Sequence, residues 1–192
     1  QFFSPCATMI MSYERGISMK QLSELLETVL HDRDITPDAV PALDLYMDQV
    51  LTLFNEGLQE NKRHPGDKLL TKTMINNYSK EKILLPVKGK KYTRQHIIQM
   101  LCIYQLKQML SLADVKALIG RNDVDFEACF NRFLARKDHL RDSIPERLTA
   151  DLDIDLSDPN EVLTFCLTLS ATATYMQRLC QQIIDARAEA QE

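Results

Sequence analysis

The run Ile83-Leu84-Leu85-Pro86-Val87-Lys88-Gly89-Lys90 cannot continue a helix, yet it interrupts a chain written almost throughout in helical periods. Pro86 lacks the N–H that a helix interior needs. Val87-Lys88-Gly89-Lys90 reads as a hairpin turn in which Gly89 is free to take positive φ. The chain must therefore be helical on both sides of one short break, and the break is basic.

Charge is concentrated around it. Residues 62–107 hold eleven Lys or Arg against two Asp or Glu, a net +9, although the whole chain carries −4. Residues 1–61 amount to −7 and residues 108–192 to −6. A basic centre between acidic flanks points to one localised polyanion site. Five cysteines, none in a CxxC pair, give neither a disulfide framework nor a zinc knuckle. With an N-terminal stretch, Gln1 to Met11, that lacks a basic region, and no apolar run of spanning length, the expectation is a cytoplasmic chain without signal peptide or membrane partner.

The periodicities place helices over 16–32, with Leu22, Leu25, Leu26, Val29 and Leu30 facing inward and Ser18 and Gln21 as a capping box. A second covers roughly 42–59, burying Leu45, Tyr46, Val50, Leu53, Phe54 and Leu58. A third runs over 71–82 with Thr71 as cap, a fourth over 94–109 behind Thr93, and a short one over 112–119 between Ser111 and Gly120. Another covers 124–140, with Phe126, Cys129, Phe130, Phe133, Leu134 and Leu140 on one face and Pro145 beyond its end. In 150–158 acid and apolar residues alternate; Asp151, Asp153 and Asp155 could hold a cation, but a plain acidic loop or edge strand is the stronger reading. The last helix, 159–188, starts behind Asp158 and repeats Val162, Cys166, Leu169, Ala173, Met176, Cys180 and Ile183 by fours and threes, the spacing of a coiled-coil seam.

Function concentrates in 71–94. On the third helix Met74, Ile75 and Tyr78 lie on one side, and Thr73, Asn76, Asn77 and Lys80 on the other, beside Lys72. Polar donors at this spacing suit base edges and phosphates. By itself such a stripe is more often a solvated face. Lys88, Lys90 and Lys91 around the turn could also be mere protection of a sheet edge. Together, a polar helix and a basic wing within two dozen residues point to a duplex backbone.

Met74-Ile75-Asn76-Asn77-Tyr78, Ile83-Leu84-Leu85-Pro86, Lys90-Lys91-Tyr92, Ile103 to Leu106 and Ser111-Leu112 to Val115 resemble the DNA-binding domain of MerR-type transcriptional regulators. Residues 40–140 more closely resemble an uncharacterised bacterial family of MerR-like proteins described only as a domain of unknown function. The resemblance implies a mainly α fold: a winged helix-turn-helix core over 42–120 with a small β-hairpin wing, an N-terminal helical extension over 1–41, and C-terminal helices over 121–192 for packing or dimerisation. It implies a DNA-binding transcriptional regulator, with helix 71–82 in the major groove and wing 86–92 on the backbone. The residues expected on double-stranded DNA are Lys72, Thr73, Asn76, Asn77, Tyr78, Lys80, Lys82, Lys88, Lys90, Lys91, Tyr92 and Arg94. A homodimer through helix 159–188 is expected. The chain departs from the MerR pattern at Asn76, where the family has arginine, at Lys82, where it has glycine, and in the long link over 59–70. The alternative is a protein-interaction module using the same basic surface without DNA. No enzyme and no cofactor are expected, because His31, His64, His96 and His139 lack ligand spacing and no phosphate loop or nucleophile elbow occurs. His96 reads as a capping or packing residue.

Overall fold

Several helices begin where a side chain can take up an orphan backbone N–H. The computed structural model describes residues 19–120, 124–149 and 156–190. Among these, the elements run α1 (Met19–Leu30), β1 (Leu45–Tyr46), α2 (Met47–Gly57), α3 (Lys72–Lys80), β2 (Lys91–Tyr92), α4 (Arg94–Leu106), α5 (Leu112–Ile119), α6 (Phe126–Thr149) and α7 (Pro159–Glu189), with two 3-10 turns at Pro37–Ala39 and Gln59–Asn61. The molecule is mainly helical with one small antiparallel sheet.

Thr71 Oγ1 accepts from the Met74 N–H at 3.2 Å and starts α3. Ser111 Oγ accepts from the Asp114 N–H at 3.1 Å, and Asp114 Oδ2 accepts from the Ser111 N–H at 3.1 Å. Caps of this kind stabilise by about 1 kcal/mol each. The Ser111 hydrogen bonds hold the Asp114 carboxyl below its ordinary range. At α4 the N-cap is Thr93, and its partner in the capping box is His96, whose Nδ1 accepts from the Thr93 N–H at 3.2 Å. Its ring is buried edge-on to Tyr92, centroids 6.1 Å apart. Asp158 Oδ1 accepts from the Asn160 N–H at 2.8 Å at the head of α7. Gly120 ends α5 without positive φ. A Cβ there would stand 2.6 Å from the Lys116 carbonyl oxygen.

Four expectations are corrected. Leu45 and Tyr46 are not helical: they pair with Tyr92 and Lys91, so the helix starts at Met47 and Tyr46 is exposed. The basic segment is not a hairpin. Its would-be first strand has no free backbone edge, because Pro86 has no N–H and the Gln99 side chain takes the Ile83 carbonyl and the Leu85 N–H. The chain turns instead at Gly89 (φ 74°) and β2 pairs with the strand ahead of α2. α4 ends at Leu106, leaving Met109 exposed in the turn that follows. Pro145 lies inside α6 rather than beyond it. Proline removes a single N–H, and the good helix formers around it carry the helix on.

The chain groups into two compact units. One holds the described residues up to His31 and those of Arg141–Tyr175. Its core is small: Leu22, Leu156 and Phe165, with Leu26 and Val162 against them. Leu25 and Val29, expected inside, are exposed, Val29 by 70 %. Arg141 Nε donates to the Leu30 carbonyl at 2.7 Å, a cation at a helix C-terminus where the dipole favours it.

The other unit runs from Asp32 to Leu140 and resumes at Met176. Val50 and Phe54 of α2, Ile75 of α3, Ile97, Met100 and Ile103 of α4, and Val115 of α5 are fully buried in one cluster. Lys137 Nζ of α6 meets Asp32 Oδ2 at 2.5 Å and Asp34 Oδ1 at 2.7 Å, all three largely shielded from water. On α7 only Phe165 and Ile184 are buried, while the seam positions Leu169, Met176 and Ile183 are exposed. Among the described residues, none covers those seam positions. No described helix is long and apolar enough to cross a membrane. The Ser18 cap and the Asp151, Asp153 and Asp155 cluster lie outside the described residues.

Candidate nucleic-acid interface

The two faces of α3 separate as its periodicity predicts. Ile75 and Tyr78 are buried. Lys72, Thr73, Asn76, Asn77 and Lys80 are exposed, and so is Met74, expected on the inner side. The helix ends in a Schellman turn: the Ile83 N–H reaches the Tyr78 carbonyl at 2.9 Å and the Lys82 N–H the Ser79 carbonyl at 3.1 Å. Such a turn requires a left-handed residue, and Lys82 fills the role at φ 56°. A side chain there costs about 1 kcal/mol relative to glycine. It also sets a further cation between helix and loop.

The loop is held from below. Ile83 and Leu84 are buried, and Gln99, 1 % exposed, grips the backbone on both sides of Leu84. Its Nε2 donates to the Ile83 carbonyl and its Oε1 accepts from the Leu85 N–H, each at 2.8 Å. Lys88, Lys90 and Lys91 then stand exposed on a segment whose base is fixed. Lys91 Nζ sits 5.0 Å from the centre of the Tyr46 ring, a cation–π contact that orients it. Sequence reasoning missed Gln99. The signal was a lone amide between Ile97-Ile98 and Met100-Leu101.

Three expected contact residues serve other purposes. The Tyr78 and Tyr92 rings are in the core, and burial pushes both phenols above their ordinary range. Arg94 is engaged: Nη1 donates to the Val40 carbonyl at 2.9 Å, and Nη2 and Nε donate to the Glu127 carboxylate at 2.7 and 3.4 Å. The bidentate contact raises the Arg94 pKa and lowers that of Glu127. Lys72, Lys80, Lys82, Lys88 and Lys90 make no ion pair among the described residues. The surface thus carries donors whose charge the described residues leave uncompensated.

It also extends further than its motif. A cleft of about 400 Å³ is lined by Lys62, Arg63 and Lys68 of the link before α3, by Lys107, and by Met74, Tyr78 and Tyr104. Lys62, Arg63 and Lys68 belong to the +9 segment but stand outside any helical pattern, which is why spacing did not single them out. Among the described residues no group of three His, Cys, Asp or Glu could hold a metal ion.

The family model described as "Domain of unknown function (DUF1836)" matches residues 35–130, half of the chain, which includes β1, α2, α3, β2, α4 and α5. No curated protein and no solved structure matches the chain.

Proposed function

The chain belongs to the DUF1836 family, and we propose that it is a cytoplasmic DNA-binding transcriptional regulator of the MerR-like winged-helix type. The exposed, unpaired polar face of α3 carries this reading. An α-helix is about 10–12 Å across with its side chains, which fits a major groove about 12 Å wide. Asn76 and Asn77 offer amides of the kind that read adenine, and the lysines of α3 and of 82–91 meet phosphates and release counterions. The β1–β2 pairing supports the reading, since it ties the basic loop back to the entry of α2. The partner is double-stranded DNA, and the active species is a homodimer formed along α7, whose apolar residues are exposed.

Anisotropy titration of the full chain against a pool of genomic duplexes tests the proposal. Binding should weaken steeply with salt, log K falling by about 0.9 per log unit of salt for each phosphate neutralised. Asn76→Ala should relax sequence preference, and Lys90→Ala should weaken all duplexes alike. Absence of duplex binding at low salt overturns the proposal and leaves the basic surface to an acidic protein partner.

A further inference from the structure

Away from the basic surface, the larger unit contains a cavity of about 320 Å³ with walls from four helices. Cys102 and Leu106 of α4, Ile119 of α5, Phe130 and Phe133 of α6, and Arg187 of α7 define it. The two phenylalanine rings lie 5.6 Å apart, tilted by 39°. No described lining residue is acidic. Burial pushes the Cys102 thiol up to about 12, so it stays neutral. Among the described lining residues the one formal charge is the Arg187 guanidinium, which forms no ion pair among the described residues, unlike Arg33 and Arg94.

We propose that this cavity binds a small amphipathic monocarboxylate, its aliphatic or aromatic part against Phe130 and Phe133 and its carboxylate on Arg187. The size lies in the range of small-molecule sites, which combine apolar walls with few polar groups. A guanidinium matches a carboxylate through two parallel N–H···O bonds. One cation suits one negative charge, and walls this apolar offer a phosphate too few donors. The inference is independent of DNA binding.

Isothermal titration of the full chain with octanoate, octanol and inorganic phosphate provides the test. Octanoate should bind saturably at one site, octanol much more weakly, and phosphate not at all. Arg187→Leu should weaken octanoate by about ten- to a hundredfold while leaving octanol unchanged. Cys129→Trp, which fills the cavity from an exposed position on its lining, should abolish binding with the helical circular dichroism retained. Equal affinity for octanoate and octanol, no octanoate binding, or octanoate binding unchanged in both variants overturns the proposal.

Discussion

α4 and α7 are both rich in apolar residues, yet they end in opposite surroundings. α4 has 13 residues and buries seven of them, including a histidine and a glutamine. α7 has 31 and buries two among its described side chains. Neighbours account for the difference. Around α4 stand α2, with Phe54 edge-on to Tyr104 at 6.5 Å, the loop gripped by Gln99, and α6 through the Arg94–Glu127 pair. The apolar residues of α7 are spread around the helix, and Leu163, Leu167, Tyr175, Met176, Leu179 and Ile183 face outward. Period identifies a helix and its stripe. Which stripe is covered depends on partners elsewhere in the chain or outside it.

Truncation tests the contrast most sharply. Ile97→Ala should cost about 2–5 kcal/mol in urea denaturation, and Leu179→Ala less than about 0.5 kcal/mol at dilutions where the chain is a monomer, rising with protein concentration as the proposed α7 dimer forms. If Leu179→Ala costs as much as Ile97→Ala in the dilute monomer, residues of this chain cover α7 and the contrast disappears. Polar positions give the next test. Gln99→Leu orphans the buried Ile83 carbonyl, about 1–3 kcal/mol, and the part-buried Leu85 N–H, which costs less. Gln177 of α7 also donates to a backbone carbonyl, that of Met109 at 2.8 Å, but in an exposed setting, so Gln177→Leu should stay within about 0.5 kcal/mol. Equal effects would mean that the glutamine of α4 gains nothing from burial.

The smallest effect concerns pH. Arg94 holds the Glu127 carboxyl below its ordinary range, so the folded state binds that proton less readily than the unfolded chain. The resulting stability is present above the ordinary carboxylate range and is lost as pH falls through the lowered value. Glu127→Gln should flatten this part of the acid limb of a urea-midpoint profile, slightly, because the pair is exposed to water. An acid limb unchanged in the variant would show that the pair does not anchor the start of α4.

Features with a local cause were legible in the sequence. Thr71, Ser111 and Asp158 announce their helices because a cap needs only the next three residues. The polar and buried faces of α3 follow from a period of 3.6. What escaped depends on residues far apart in the chain. Leu45 and Tyr46 look helical until Lys91 and Tyr92 offer them a strand edge. Arg94 looks available to phosphate until Glu127 arrives from α6. Lys137 shows no reason in its own segment to meet Asp32 and Asp34. Of the candidate site, the lysines and asparagines of α3 and of the loop were readable. Its anchoring by Gln99 and its extension through Lys62, Arg63 and Lys68 were not.

The two-residue ribbon between β1 and β2 also bears on the order of assembly. It joins positions 45 and 92, and closing a ring of that size costs an entropy of the order of 3 kcal/mol. α4 and α5 are adjacent in sequence and meet no such delay. α3 and its lysine loop therefore lock into place after the scaffold beneath them. Fraying of that short ribbon is also the cheapest way for the same segment to loosen as a block.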